Sequence, residues 1–189
     1  MRRVLISLIL ALASTFISAE TISFMGIPIS GTRDVFEQKL LNKGFSGPGW
    51  GGRYEGHFNG HYVYVSVWSE NNRVYRVDVE YYVDKNSYIN EYNTLLQQFS
   101  NNKKYAKEVV SYIPQGYQYN KSVETSGKSE SLFESCFKHV GDPNGIVKTR
   151  LSHYYSNFDL FGSGTGHVFQ VIIRYEHFGT RSRFDGSDL

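Results

Sequence analysis

From Arg53 to Val83 the chain alternates apolar and polar residues, broken by Asn59-Gly60 and by Glu70-Asn71-Asn72. Side chains in a strand point to opposite faces with a period of two, and Asn-Gly favours the tight type I′ turn that joins adjacent antiparallel strands. The break at Asn59-Gly60 therefore fixes a register, with Phe58 opposite His61 and His57 opposite Tyr62. One face then carries Tyr54, Gly56, Phe58, Val63, Val65 and Val67. The other carries Arg53, Glu55, His57, Tyr62, Tyr64, Ser66 and Trp68. The next strand places Tyr75, Val77, Val79, Tyr81 and Val83 on the valine side and Arg76, Asp78, Glu80 and Tyr82 on the other. A three-strand antiparallel meander is predicted, with a core face and a polar-aromatic face.

Helices are predicted on both sides of this meander. Thr32 can cap a helix with Asp34 and Glu37 in its first turn and Lys39 and Lys43 in its last, charges that complement the helix dipole. Val35, Phe36, Leu40 and Leu41 form its stripe, and Gly44 fits the left-handed position after its end. After Asp84, Tyr88, Ile89, Tyr92, Leu95, Leu96 and Phe99 keep a 3.6-residue period. A third, shorter helix is predicted from Leu132, Phe133, Cys136, Phe137 and Val140, with Ser131 and Glu134 as a capping box and Gly141-Asp142-Pro143 as its stop. Strands are predicted over Tyr105–Ile113, Ile146–Tyr155 and Val168–Phe178, with Tyr117–Glu124 extending the first of these.

The polar stretch Thr125–Ser129 and the glycine-rich stretch Gly162–Gly166 read as loops. The expected architecture is α+β: an antiparallel sheet with helices packed on one face, in a pseudo-repeat of helix followed by antiparallel strands. The expected organisation is a leader over residues 1–19, one domain over 20–178 with halves at 20–84 and 85–178, and a flexible tail over 179–189.

The leader reading rests on Met1-Arg2-Arg3, the apolar run Val4–Phe16 and Ala19 before Glu20, the three-part layout of a secretory signal peptide. The run is shorter than the roughly 20 apolar residues of a bilayer span. Cleavage before Glu20 implies a periplasmic or extracellular protein with no membrane span.

Charge and cysteine content exclude several classes. The net charge is +2, and losing Arg2 and Arg3 brings the mature chain to neutrality. Holding a polyanion by counterion release takes many unbalanced cations, so no nucleic-acid partner is expected. One cysteine allows neither a disulfide framework nor a cysteine-based zinc site. His57 and His61 are four apart, but the hairpin register sends them to opposite faces, and the other histidines lie on separate elements. No metal or other cofactor is expected.

Three patterns invite a catalytic reading. Cys136 and His139 have the spacing of a thiol–base pair on a helix, yet Cys136 lies between phenylalanines and reads as a small buried hydrophobe. Gly162–Gly166 has the composition of a phosphate loop but precedes a strand, not a helix start. Asp78 and Glu80 share one side of a strand about 7 Å apart. That falls in the window of about 6.5–9.5 Å for an inverting glycosidase, as any such pair does. Arg76 and Glu55 nearby point to cross-strand charge pairing. A small periplasmic hydrolase using this acid pair or a histidine is the alternative reading.

The chain contains 15 Tyr, 13 Phe and 2 Trp. Tyr62, Tyr64, Trp68, Arg76 and Tyr82 gather the residue types that dominate binding hot spots on one face, because each buries large area while keeping a polar tip. They are the candidate binding residues, for a protein or a glycan. No specific activity, ligand or oligomeric state is readable from the residues.

Phe24-Met25-Gly26-Ile27-Pro28-Ile29-Ser30-Gly31, the helix ending Lys43-Gly44-Phe45, and Tyr54-Glu55-Gly56-His57-Phe58 resemble a group of uncharacterised secreted proteins of Bacteroidetes. Tyr75-Arg76-Val77-Asp78-Val79 and Val171-Ile172-Ile173-Arg174-Tyr175 extend the likeness over most of the mature chain. The resemblance implies a secreted or periplasmic location and no activity. More distantly, the arrangement is similar to β-lactamase-inhibitor-protein-like and PepSY-like folds, which bind proteins through a sheet face.

Overall fold

A computed structural model describes residues 20–119, 129–156 and 166–180. The leader, most of the polar loop, the glycine-rich loop but for its last residue, and the end of the tail lie outside these residues.

A short hairpin of β1 (Ser23–Phe24) and β2 (Ile27–Pro28) precedes helix α1 (Arg33–Asn42). Then come β3 (Tyr54–Phe58), β4 (His61–Glu70) and β5 (Arg73–Val83), helix α2 (Tyr88–Asn101), and β6 (Tyr105–Val109), β7 (Ser129–His139), β8 (Gly145–Ser156) and β9 (Gly166–His177). Strands β3 to β9 form one seven-stranded sheet in the order β3-β4-β5-β9-β8-β7-β6. Every neighbouring pair is antiparallel. The two halves of the chain meet where β5 pairs with β9 in the centre.

The α+β expectation is therefore corrected. The described residues are mainly an antiparallel sheet, with two helices among them, 10 and 14 residues long. The predicted third helix is strand β7. Phe133 and Phe137 are four apart, a spacing that suits a helix and a strand alike. Pairing settles the choice: β8 runs along β7 from Ser129 to Lys138, and β6 covers its other side from Cys136 to His139. The expected capping pair does touch, with Ser131 Oγ donating to Glu134 Oε1 at 3.1 Å, but within a strand. Phe133 and Phe137, an even step apart, both pack toward the core, and a register shift between Ser131 and Phe133 makes Leu132 the extra residue.

The predicted hairpin register is found, with Phe58 opposite His61 and His57 opposite Tyr62. Asn59 (φ 52°) and Gly60 (φ 84°) hold the left-handed conformation that the tight turn requires. One face of the sheet is the core: Val63, Val65, Val77, Val79, Val171 and Ile173 are fully buried there. At the far end of β4 a shift between Trp68 and Ser69 makes Tyr75 an extra residue. Val74 is then the buried one, and Tyr75, expected on the valine face, is half-buried.

Helix α1 follows Thr32 but has no side-chain cap. It ends with Gly44 N–H donating to the Leu41 carbonyl and Phe45 N–H to the Leu40 carbonyl, the paired bonds of a Schellman motif. Of its expected stripe only Phe36 and Leu40 are buried, while Val35 and Leu41 are exposed. Helix α2 buries Tyr88, Tyr92, Leu95, Leu96 and Phe99. The Tyr92 hydroxyl reaches Thr149 Oγ1 at 3.2 Å, which satisfies a polar group inside the core. Gly56 meets Phe45 so closely that a Cβ on it would lie 2.7 Å from the ring.

Candidate functional site

The five candidate binding residues lie on two adjacent central strands. Tyr62, Tyr64 and Trp68 project from β4 and Arg76 and Tyr82 from β5, all on the face opposite the valines. Trp68 and Arg76 are direct cross-strand partners. The Arg76 guanidinium lies over the Trp68 ring, 4.4 Å from its centroid. Trp68 remains 44% exposed and Tyr62 49% exposed. Tyr64, Arg76 and Tyr82 are half-buried.

The rings contact one another along the face. Tyr62 and Tyr64 meet edge to face at 5.8 Å, Tyr64 and Tyr82 at 6.4 Å, and His57 and Tyr62 at 5.4 Å. The Arg53 guanidinium sits 5.6 Å from the Tyr64 centroid. The Tyr62 hydroxyl donates to Glu55 Oε2 at 2.5 Å, and that bond raises the Tyr62 pKa.

Ionic contacts hold the same face between the strands. Arg76 donates from Nη2 and Nε to the Asp78 carboxylate at 2.6 and 3.0 Å. Arg174, across on β9, donates from Nε to the same carboxylate at 2.9 Å. Asp78 is buried, so two guanidinium groups stabilise one desolvated charge. Glu80 accepts from Arg53 at 3.3 Å and Gln170 at 3.2 Å. Burial raises its pKa, and Arg53 opposes that shift.

This arrangement bears on the acid pair. Asp78 is engaged by Arg76 on its own strand and by Arg174 on β9, and Glu80 by Gln170 on β9 and by Arg53, which precedes β3. The expected histidine separation is also seen: His61 stacks on Tyr81 at 4.2 Å and lies 3.3 Å from Glu91, while His57 meets Tyr62 on the other face. Among the described residues no group of three or more His, Cys, Asp or Glu side chains could hold a metal ion. No helix among them is long and apolar enough to cross a membrane.

Cys136 departs from expectation. It lies on β7 facing away from the phenylalanines, half-buried, with its Sγ 3.3 Å from Glu108 Oε2. Burial and the Glu108 carboxylate push its thiol up to about 11. His139, one strand period beyond Phe137, is buried on the core side beside the Tyr105 ring. The thiol–base geometry that the helical spacing would allow does not form, because residues three apart on a strand face opposite ways.

Trp50 escaped the period-based reading. It is 88% exposed in a short 3₁₀ turn, Trp50–Gly52, on the loop that leads into β3. Ser46 and Glu55 exchange backbone hydrogen bonds at 2.8 and 2.9 Å, which ties this loop along β3. The signal was available: a tryptophan within Gly47-Pro48-Gly49-Trp50-Gly51-Gly52 has no periodic neighbours to pack against.

Comparison of the chain with protein-family models, with curated proteins and with solved structures finds no match.

Proposed function

We propose that this is a secreted or periplasmic, non-enzymatic binding protein of the kind its sequence motifs resemble. It engages a protein or glycan partner through the polar-aromatic face of β4 and β5. The observation that carries this reading is the state of Trp68 and Tyr62. Both are large rings left about half exposed on strands that are otherwise firmly held by core packing and ion pairs. Rings already fixed by cross-strand neighbours lose little freedom on binding, so contact area converts to affinity with a small entropic cost. The location rests on the basic start, apolar run and Ala19 of the N-terminal segment.

The test uses the mature chain immobilised as bait for native secreted fractions and for soluble polysaccharides, alongside Tyr62→Ala and Trp68→Ala. A partner retained by the wild type and lost by both variants, with thermal midpoints within a few degrees, supports the reading. A large loss of stability with unchanged capture would make the face structural and overturn it.

A further inference from the structure

On the core side of the sheet, where the β3–β4 turn meets the last turns of α2, lies a cavity of about 160 Å³. Phe58 from β3, Leu95 and Phe99 from α2, and Tyr175 from β9 supply its apolar walls. The amides of Asn59, Gln98 and Asn102 complete the lining, and among the described residues no charged side chain takes part in it. Asn59 Nδ2 donates to Gln98 Oε1 at 2.8 Å, which ties the turn to α2 at this place. The space is close to that of an apolar cavity of ~150 Å³ known to admit benzene.

Tyr175 stands in the core row between Val77 on β5 and Val147 on β8. Both neighbours are short, so the phenol rises above them toward α2, with its ring 6.4 Å from Phe99 and 5.6 Å from Phe24. Only 5% of the residue is exposed, and among the described residues nothing hydrogen-bonds its hydroxyl. Tyr92 shows the contrast, since its buried hydroxyl is paired with Thr149. A hydroxyl taken out of water without a partner costs free energy. Burial also raises the Tyr175 pKa, which keeps the group a neutral donor. The core tyrosine that lacks a partner is thus one that lines a cavity.

We infer that this cavity binds a small uncharged molecule with an apolar body the size of a single ring and one hydrogen-bonding group. The body packs on Phe58, Leu95 and Phe99, and the polar group pairs with the Tyr175 hydroxyl. Phe58, Leu95 and Phe99 offer water nothing to bond, whereas a ring fills the space against them. A charged ligand would lose its hydration here without meeting a counter-charge. The cavity lies on the opposite side of the sheet from Tyr62 and Trp68, and either site can fail without the other.

The test is a titration of the purified protein with phenol, followed by calorimetry and by the methyl resonances of Leu95 and Ile172. Phenol at millimolar concentration is expected to shift Leu95 and to leave Ile172, on the opposite face, in place. Tyr175→Phe keeps the ring and removes only the hydroxyl. This variant is expected to bind phenol about fivefold more weakly, the change that one neutral hydrogen bond implies, and to bind toluene as the wild type does. Benzoate and benzylammonium, similar in shape but charged, are expected to leave Leu95 unshifted. Trp68→Ala is expected to bind phenol as the wild type does. No Leu95 shift with phenol, an equal shift with benzoate or benzylammonium, or equal phenol binding by wild type and Tyr175→Phe would each overturn the inference. So would a parallel loss of phenol and toluene in Tyr175→Phe, which would trace binding to packing and not to the hydroxyl.

Discussion

Arg76 and Trp68 face each other across β4 and β5, with the guanidinium 4.4 Å from the ring centroid and its Nη2 2.6 Å from Asp78. One arginine thus couples an exposed ring to a buried carboxylate. The ring is presented on top of an ionic contact that ties β5 to itself and, through Arg174, to β9.

That coupling predicts a separation of effects. Trp68→Ala removes a partly exposed cation–π contact, which is worth about 0.5–1 kcal/mol. The thermal midpoint is expected to fall by no more than about 2–4 °C, since about 1 kcal/mol has that effect in a domain of this size. Scanning calorimetry on the purified mature chain checks it.

Asp78→Ala is expected to be far more costly. It leaves Arg76 and Arg174 without their shared partner on a face where both are about three-quarters covered. Breaking a buried ion pair from one side costs about 3–5 kcal/mol. Urea unfolding of the variant measures this. A loss below about 1 kcal/mol would mean the two arginines find other acceptors.

Gly56→Ala is expected to destabilise by about 1–3 kcal/mol, the usual effect of overpacking. The new methyl would lie 2.7–2.9 Å from three carbons of the Phe45 ring, itself buried behind β3. Phe45→Leu in the same chain should recover part of that loss. The double-mutant cycle in chemical denaturation then shows a coupling between the two positions.

His139 gives the stability a pH dependence at its acidic side. Burial is the main cause of its lowered pKa, while Asp142 and Glu20 pull the other way and Lys104 adds to the lowering. The unfolded chain takes up a proton near the ordinary histidine value of about 6.5, and the folded chain takes it up only at lower pH. Between those values the unfolded state binds more protons, so stability falls as pH drops through that window and is fully present above it. His139→Phe should flatten this part of the curve in unfolding midpoints measured from pH 7.5 to 5.

Cys136 is expected to be slow toward thiol reagents at neutral pH, because its thiol is held up to about 11 and the thiolate is the reactive form. Glu108→Gln removes one of the two causes and should accelerate labelling of the folded protein. Fast labelling of the wild type at pH 7 would contradict the placement of the thiol against Glu108.

Local chemistry in the sequence accounts for the β3–β4 hairpin, the alternation along β4, the long stripe of α2 and the C-terminal stop of α1. In each case the deciding contacts are within a few residues: a turn that only certain residues enter, or a period that repeats at every step. The polar-aromatic grouping of Tyr62, Tyr64, Trp68, Arg76 and Tyr82 follows from the same alternation, because the hairpin register fixes which way each side chain points.

Contacts between distant segments decided the rest. Phe133 and Phe137 fit two periods equally, and only pairing with β8 and β6 makes residues 129–139 a strand and turns Cys136 toward Glu108. The sharing of Asp78 between Arg76 and Arg174 and the cavity beside Tyr175 depend on which strand lies beside which. Strand neighbours far apart in sequence carry no periodic mark of their pairing, so these features became visible only once β9 took its place between β5 and β8.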